Sequence, residues 1–214
     1  LIIMTLIGIV VTRYNIQKKS YLEFWDKKSK EDGELLYIAL GDSTVTGIGA
    51  SEATSGYVWQ IKERFEKKAG KTVRVVNLGS PGAKTSDLIE NQLPKLSKYK
   101  NPDLITVSIG ANDTNHNFDP DVIIKNLESI IANLPKGSFI AEIPGLRFKD
   151  QEITKRINVK LRLEASKKGI FVVPIYDVLQ EHINDLTIYD IDFFHPNNKG
   201  YKIWLNAFWG TINR

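Results

Sequence analysis

Short apolar runs alternate with longer amphipathic segments five times after residue 34, and this alternation limits the folds open to the chain. The runs lie at residues 35–40, 73–78, 104–109, 138–143 and 170–173. They are mainly apolar without regular alternation, which is typical of strands buried on both faces. Because a helix-length segment follows each run, the sequence predicts a three-layer α/β/α sandwich around a five-stranded parallel sheet.

The segments between the runs have helical periodicity. In one of them Ile153, Ile157, Leu161 and Ala165 recur every four residues. Another helix is expected over residues 85–96, with a break at Pro94. The carboxyl ends of all the parallel strands should therefore meet at one edge, where ligands of such folds bind.

Composition narrows the class of protein further. The chain has 214 residues, 42% hydrophobic and 25% charged, which fits one domain with a real core. It has no cysteine, which excludes disulfides and thiolate metal sites. The net charge of +4 comes from dispersed basic pairs without interleaved aromatic residues, so no nucleic-acid partner is predicted.

The amino terminus differs from the rest of the chain. Residues 1–11 are uncharged and apolar. We interpret residues 1–12 as a signal-anchor remnant, which predicts membrane association and a location in the cell envelope or outside rather than in the cytoplasm. The alternative is a first buried element of the domain. Residues 13–33 are polar without clean periodicity and are predicted to be a linker, which leaves residues 34–214 as the domain.

Polar motifs follow the first strand and precede the last predicted helix. Ser43 ends a Gly-Asp-Ser tripeptide at the close of the first strand, where it is a candidate nucleophile that needs a base. His195 is the candidate base, since Asp192 lies three residues earlier and can fix its tautomer. The alternatives are an ordinary turn at Ser43 and a helix cap with an incidental histidine at residue 195. Asp42 is expected to shape the turn by bonding nearby backbone.

Two further turns offer hydrogen-bond donors. Gly82 follows the second strand, and Asn112 follows the third. A backbone N–H and a neutral amide can stabilise the oxyanion that forms during acyl transfer. The alternatives are an ordinary turn glycine and an Asx turn. The other histidines, His116 and His182, are expected to be surface or satisfied side chains.

Together these motifs resemble the GDSL, or SGNH, hydrolase family. The similarity covers residues 35–209 and implies a flavodoxin-like fold. It also implies Ser43 as nucleophile, Asp192 and His195 as its triad partners, and an oxyanion hole made by the N–H groups of Ser43 and Gly82 with the Asn112 amide. Gly82 is chosen over Gly79 because the family's glycine lies five residues after the asparagine at the strand end. Thr44 stands where the family has a leucine, and this difference puts the choice of substrate in doubt but not catalysis.

The predicted function is hydrolysis of carboxylic esters through an acyl-enzyme, without a cofactor or metal. Phe193, Phe194 and Tyr189, with residues 144–148, either line an acyl pocket or pack in the core. The substrate is expected to be a small-molecule, lipid or acylated-glycan ester. The alternative is a binding module for acylated glycans or lipids on the same scaffold. The α/β-hydrolase elbow, the Walker loop, G-x-G-x-x-G and H-E-x-x-H are all absent from the sequence.

Overall fold

The computed structural model describes the backbone of residues 2–214 and the side chains from Gly8 onward. The strands are β1 (Leu35–Gly41), β2 (Val73–Asn77), β3 (Leu104–Ser108), β4 (Phe139–Ala141) and β5 (Phe171–Val173). The α-helices are α1 (Ile2–Lys28), α2 (Ser43–Thr46), α3 (Tyr57–Ala69), α4 (Thr85–Asn91), α5 (Ala111–Asn115), α6 (Pro120–Asn133), α7 (Gln151–Lys168), α8 (Ile175–Gln180) and α9 (Asn198–Ile212).

The strands form one parallel sheet in the order β2-β1-β3-β4-β5. This confirms the predicted five-stranded α/β architecture. The chain runs outward from β1 to β2, then crosses back past β1 to β3, β4 and β5. Such a reversal of direction opens a crevice beyond the carboxyl end of the strand at which it occurs. That strand is β1, whose last residue precedes the Asp42-Ser43 pair.

Each face of the sheet has its own apolar core. Tyr37 and Ala39 of β1 point into one core, whereas Ile38 and Leu40 point into the other. The first core is rich in aromatic residues and is covered by α1, α3 and α9. The second is aliphatic and is covered by α4, α6 and α7. A strand buried on both faces explains why its sequence is apolar without alternation.

The predicted helices are present with small differences at their ends. The helix expected over residues 85–96 is divided into α4 and a 3₁₀ segment, Leu93–Lys98, with Pro94 near the start of that segment. Helix α7 ends at Gly169, which is left-handed with φ of 67° and closes the helix. Proline and glycine thus divide the chain where the sequence predicted.

The amino-terminal helix corrects the prediction of a linker over residues 13–33. Helix α1 continues to Lys28, and Gln17, Tyr21 and Trp25 are buried against the domain. Their spacing of four residues places them on one side of the helix. Each combines an apolar body with a polar tip, so a hydropathy pattern does not register them as a buried face.

The predicted anchor over residues 1–12 lies partly outside the described side chains. Of its described members, Ile9 and Val11 are about half exposed, at 52% and 51%. In the part of the chain that the structure describes, no helix has the length and apolar character needed to cross a membrane.

Candidate active site

The end of β1 is held in a conformation that requires glycine. Gly41 has φ of 145°, and a Cβ there would lie 1.8 Å from the carbonyl oxygen of Ser108. The Gln92 side chain accepts from the Gly41 N–H and donates to its carbonyl, both at 2.8 Å. The backbone two residues before Ser43 is therefore fixed from both sides.

Ser43 is the first residue of helix α2. The Asp42 carboxylate caps this helix, accepting from the N–H and hydroxyl of Thr44 at 2.9 and 2.8 Å. This confirms that Asp42 bonds nearby backbone. The Thr44 hydroxyl also lies 3.3 Å from the Ser108 hydroxyl. A leucine at position 44 would lack all of these hydroxyl contacts, which gives the departure at this position a structural role.

Asp192 organises the loop that carries the histidine. Its Oδ1 accepts from the backbone N–H groups of Phe194 and His195, each at 2.9 Å. The loop is closed by the Asp190 N–H, which donates to the His195 carbonyl at 2.8 Å. Phe193 lies at the tip with φ of 55°, a left-handed conformation uncommon for an aromatic residue.

Ser43, His195 and Asp192 form one hydrogen-bonded chain. Nε2 of His195 lies 2.9 Å from Oγ of Ser43, and Nδ1 lies 2.5 Å from Oδ2 of Asp192. Burial raises the pKa of Asp192, but the bond and charge of His195 and two backbone N–H groups outweigh it, so the pKa lies below its usual value. An ionised Asp192 accepts a hydrogen bond from the N–H at Nδ1, which leaves the unprotonated Nε2 to accept from the Ser43 hydroxyl.

The turn that contains Gly82 is bonded to both neighbouring strand ends. The Ser80 N–H donates to the Gly41 carbonyl at 3.0 Å, and the Asn112 amide donates to the Ala83 carbonyl at 2.9 Å. Gly82 has φ of 87°, and the space beside its Cα is open. Within the described residues, neither its N–H nor that of Ser43 donates to a protein acceptor. Two backbone N–H groups and a second Asn112 amide hydrogen are thus left without a protein acceptor among the described residues.

Asp113 connects the same turn to helix α4. Its carboxylate accepts from the hydroxyl of Thr85 at 2.6 Å and from the Thr85 N–H. Burial raises the pKa of Asp113, although the Thr85 bonds oppose that rise. Asn112 and Asp113 of helix α5 therefore both hold the segment that follows Gly82, at Ala83 and Thr85.

Two cavities begin beside the site. A small one, of about 30 Å³, has Thr44 and Ala111 in its wall, the neighbours of Ser43 and Asn112. A larger one, of about 300 Å³, reaches the surface at Phe148 and Phe193. The two share a partition made by Leu146, Tyr189 and Phe194. The aromatic residues that the sequence analysis offered as a pocket lining, Tyr189, Phe193 and Phe194, therefore border open space, and Tyr189 also packs against the first core.

Two other histidines named in the sequence analysis lie outside the hydrogen-bonded series of Ser43, His195 and Asp192. His116 is exposed and His182 is half-buried, and neither takes part in it. The sequence analysis missed Gln92, because a single glutamine in a polar segment has no local signal. It also missed Tyr14, whose ring centroid lies 5.9 Å from that of His195. Among the described residues, no three His, Asp or Glu side chains are grouped as metal ligands would be.

Comparison with known proteins places this architecture among ester hydrolases. The model of the GDSL-like Lipase/Acylhydrolase family matches residues 39–203. The chain is 31% identical over 81 residues to the spore germination lipase LipC of Bacillus licheniformis, a match that spans only 38% of that protein. It is 23% identical to YpmR of Bacillus subtilis over 88% of this chain and 85% of that protein.

Solved structures show the same fold at low identity. The structure of TesA aligns with a TM-score of 0.71 and 21% identity, covering 83% of this chain and 97% of that one. Axe2, an acetylxylan esterase from Geobacillus stearothermophilus, aligns with a TM-score of 0.65 and 20% identity, covering 85% and 95%.

Proposed function

Because the chain belongs to the GDSL-like lipase/acylhydrolase family and is a carboxylic ester hydrolase, we propose that it works through an acyl-enzyme formed on Ser43. The observation that carries this proposal is the 2.9 Å separation between Ser43 Oγ and His195 Nε2. A hydroxyl is a weak nucleophile until an adjacent base takes its proton. The imidazole is in place to do so, and Asp192 is in place to support the imidazolium that results.

In the first half of the reaction, Oγ attacks the ester carbonyl and its proton passes to Nε2 of His195. The carbonyl oxygen becomes an oxyanion, which the N–H groups of Ser43 and Gly82 and the Asn112 amide stabilise. Each such donor contributes on the order of 10²–10³ in rate. The tetrahedral intermediate then collapses: the bond to the alcohol oxygen breaks, and His195 returns the proton to that oxygen. The alcohol departs and the acyl group stays on Ser43.

In the second half, water replaces the alcohol. His195 removes a proton from water as the water oxygen attacks the acyl carbonyl, and the same donors hold the oxyanion. The bond to Oγ breaks, Oγ regains its proton from His195, and the carboxylic acid leaves. Every proton is conserved between Ser43, His195 and the substrate, so the cycle needs only water.

The cavities support an acyl group of small to medium length. The path from Thr44 past Phe194 to Phe148 is lined mainly by apolar side chains, and such surface favours a hydrocarbon chain over water. Arg147 and Lys149 lie on the wall of the larger cavity and would tolerate an anionic substituent there. The envelope location stays a prediction, so it sets no limit on the substrate.

A single substitution tests the nucleophile. Ser43→Ala in the full chain should lower kcat for p-nitrophenyl acetate by at least about 10⁴-fold. Ser97→Ala, an exposed serine, is the matched control and should keep the parent rate. A fluorophosphonate probe should label the parent and the control but not Ser43→Ala. Equal turnover by Ser43→Ala and the parent would refute the proposal, and a parent that binds esters without turnover or labelling would be a binding module.

Acyl preference tests the role of the cavities. Across p-nitrophenyl esters from acetyl to decanoyl, kcat/KM should rise with chain length and then fall once the chain exceeds the larger cavity. A steady decline from the acetyl ester onward would show that the cavities do not hold the acyl chain.

A further inference from the structure

Helix α1 lies outside the residues that the family model matches, since that match begins at residue 39. Nevertheless its side chains reach the two segments on which Ser43 and His195 depend. One segment is the turn of residues 46–50, which follows the nucleophile helix. The other is the loop of residues 190–195, which carries Asp192 and His195.

The turn of residues 46–50 is held to α1 by four hydrogen bonds. The Gln17 side chain accepts from the Gly49 N–H at 3.1 Å and donates to the Ala50 carbonyl at 2.9 Å. Tyr21 donates to the same carbonyl at 2.8 Å, and Trp25 donates to the Thr46 carbonyl at 2.9 Å. All three side chains are buried, so these bonds are shielded from competing water.

The turn of residues 46–50 also lies directly against His195. A Cβ on Gly49 would come within 2.8 Å of the His195 Cβ and 2.4 Å of the Pro196 carbonyl oxygen. Only a glycine allows the two backbones to approach so closely. A displacement of the turn by a fraction of an ångström would therefore be transmitted to His195.

The catalytic loop is gripped separately by Arg13. Its guanidinium forms a bidentate pair with the Asp190 carboxylate, at 2.9 and 3.2 Å. Asp190 also closes the loop through its own N–H, which donates to the His195 carbonyl. Arg13 thus binds the first residue of the six-residue loop, residues 190–195, that contains both Asp192 and His195.

Tyr14 completes the contact. Its ring lies 5.9 Å from the His195 ring at 31°, whereas the Phe194 ring meets His195 edge-on at 5.0 Å. Burial and the nearby carboxylates of Asp192 and Asp42 raise the pKa of Tyr14, so its side chain stays uncharged. The imidazole thus has one aromatic neighbour from its own loop and one from α1.

We propose that Arg13 and Tyr14 of helix α1 are positioning residues for ester hydrolysis, holding His195 at bonding distance from Ser43. This inference rests on the proposed function. It makes α1 part of the catalytic apparatus although the family match does not include it. Misplacing a catalytic group by about 1 Å can cost on the order of 10² in rate, so loss of either contact should act on turnover.

The test compares Arg13→Ala and Tyr14→Ala with Arg13→Lys, Tyr14→Phe and the control Lys18→Ala, an exposed cation on the same helix. Kinetics with p-nitrophenyl acetate, the rate of fluorophosphonate labelling and Tm are measured on each full chain. Both alanine variants should lose about 10-fold or more in kcat and in labelling rate, with KM changed less than about twofold. Tyr14→Phe should restore the parent values, Arg13→Lys should restore part of the loss, and Lys18→Ala should match the parent.

Three outcomes would overturn the inference. The first is equal kcat for the alanine variants and Lys18→Ala. The second is a rise in KM alone, which would make Tyr14 a substrate contact. The third is a loss that the conservative variants do not restore and that follows Tm, which would leave α1 with a purely structural role. If the parent shows no turnover that Ser43→Ala removes, the proposed function itself fails, and this inference fails with it.

Discussion

The Asp42 carboxylate is buried one residue before Ser43, where two bonds from Thr44 and the nearby His195 favour its ionised form. Burial disfavours the charged form and the Thr44 bonds favour it; burial prevails and raises the pKa of Asp42 from 3.8 to about 6. The cap therefore orients helix α2 at some cost in stability at neutral pH. The sequence indicated the cap, but the burial that produces the cost depends on β3 and on packing that no local motif reveals.

This cost predicts a pH dependence of stability. Below pH 3.8 the carboxyl is protonated in both the folded and the unfolded state, so its ionisation does not lower the free energy of unfolding. Between pH 3.8 and about 6 the unfolded chain ionises first, so the free energy of unfolding falls, and above that range the loss is complete. Asp42→Asn keeps an acceptor for Thr44 without the charge. Its stability relative to the parent should rise by up to about 3 kcal/mol between pH 3.5 and 7. Urea unfolding at each pH measures the difference, and a pH-independent difference would contradict the assignment.

Among the elements, the strands and most helices follow from sequence because their signals are local: mainly apolar runs, four-residue periodicity, and proline or glycine at the ends. The links between elements do not. Asn158 of α7 is buried, accepts from the Ile143 N–H and donates to the Ile143 carbonyl, both at 2.9 Å. Gln92 does the same for Gly41. Each amide takes the place of a missing strand neighbour, and such pairing becomes visible only when the two elements have packed.

The amide link between α7 and the end of β4 can be tested by its removal. Asn158→Ala leaves a buried N–H and a buried carbonyl of Ile143 without partners. At about 1–3 kcal/mol for each of the two groups, the free energy of unfolding should fall by about 2–6 kcal/mol. Chemical denaturation measures the loss, with Lys160→Ala on the exposed face of the same helix as the control. A loss no larger than that of Lys160→Ala would mean that water satisfies Ile143.

At the scale of the whole molecule, helix α1 joins the aromatic core on one side of the sheet. Trp25 is 2% exposed and lies near Phe24 and Trp59, with ring centroids 5.0 and 6.3 Å away. The sequence analysis divided the chain at residue 34 because charged residues dominate the surface of α1. The four side chains that attach the helix, Arg13, Gln17, Tyr21 and Trp25, are spread over 13 residues and become a pattern only when their partners are known.

If α1 belongs to this core, Trp25→Ala should destabilise the whole domain. Truncating a buried tryptophan typically costs about 3–5 kcal/mol. Leu22→Ala, at a position 37% exposed on the same helix, should cost much less. Urea unfolding followed by the remaining tryptophans should show a single transition shifted to lower denaturant. A shift no greater than that of Leu22→Ala would mean that α1 folds and detaches independently.

The segment between β4 and α7 has a different kind of freedom. It carries Leu146 and the largely exposed Phe148, which border the cavities, yet it contributes no atom to the bonds joining Ser43, His195 and Asp192. Insertions or exchanges there would leave the hydrogen-bonded Ser43, His195 and Asp192 untouched while changing the shape of the cavities. Sequence variation confined to this loop would therefore let related proteins differ in substrate specificity while they keep the same hydrogen-bonded groups.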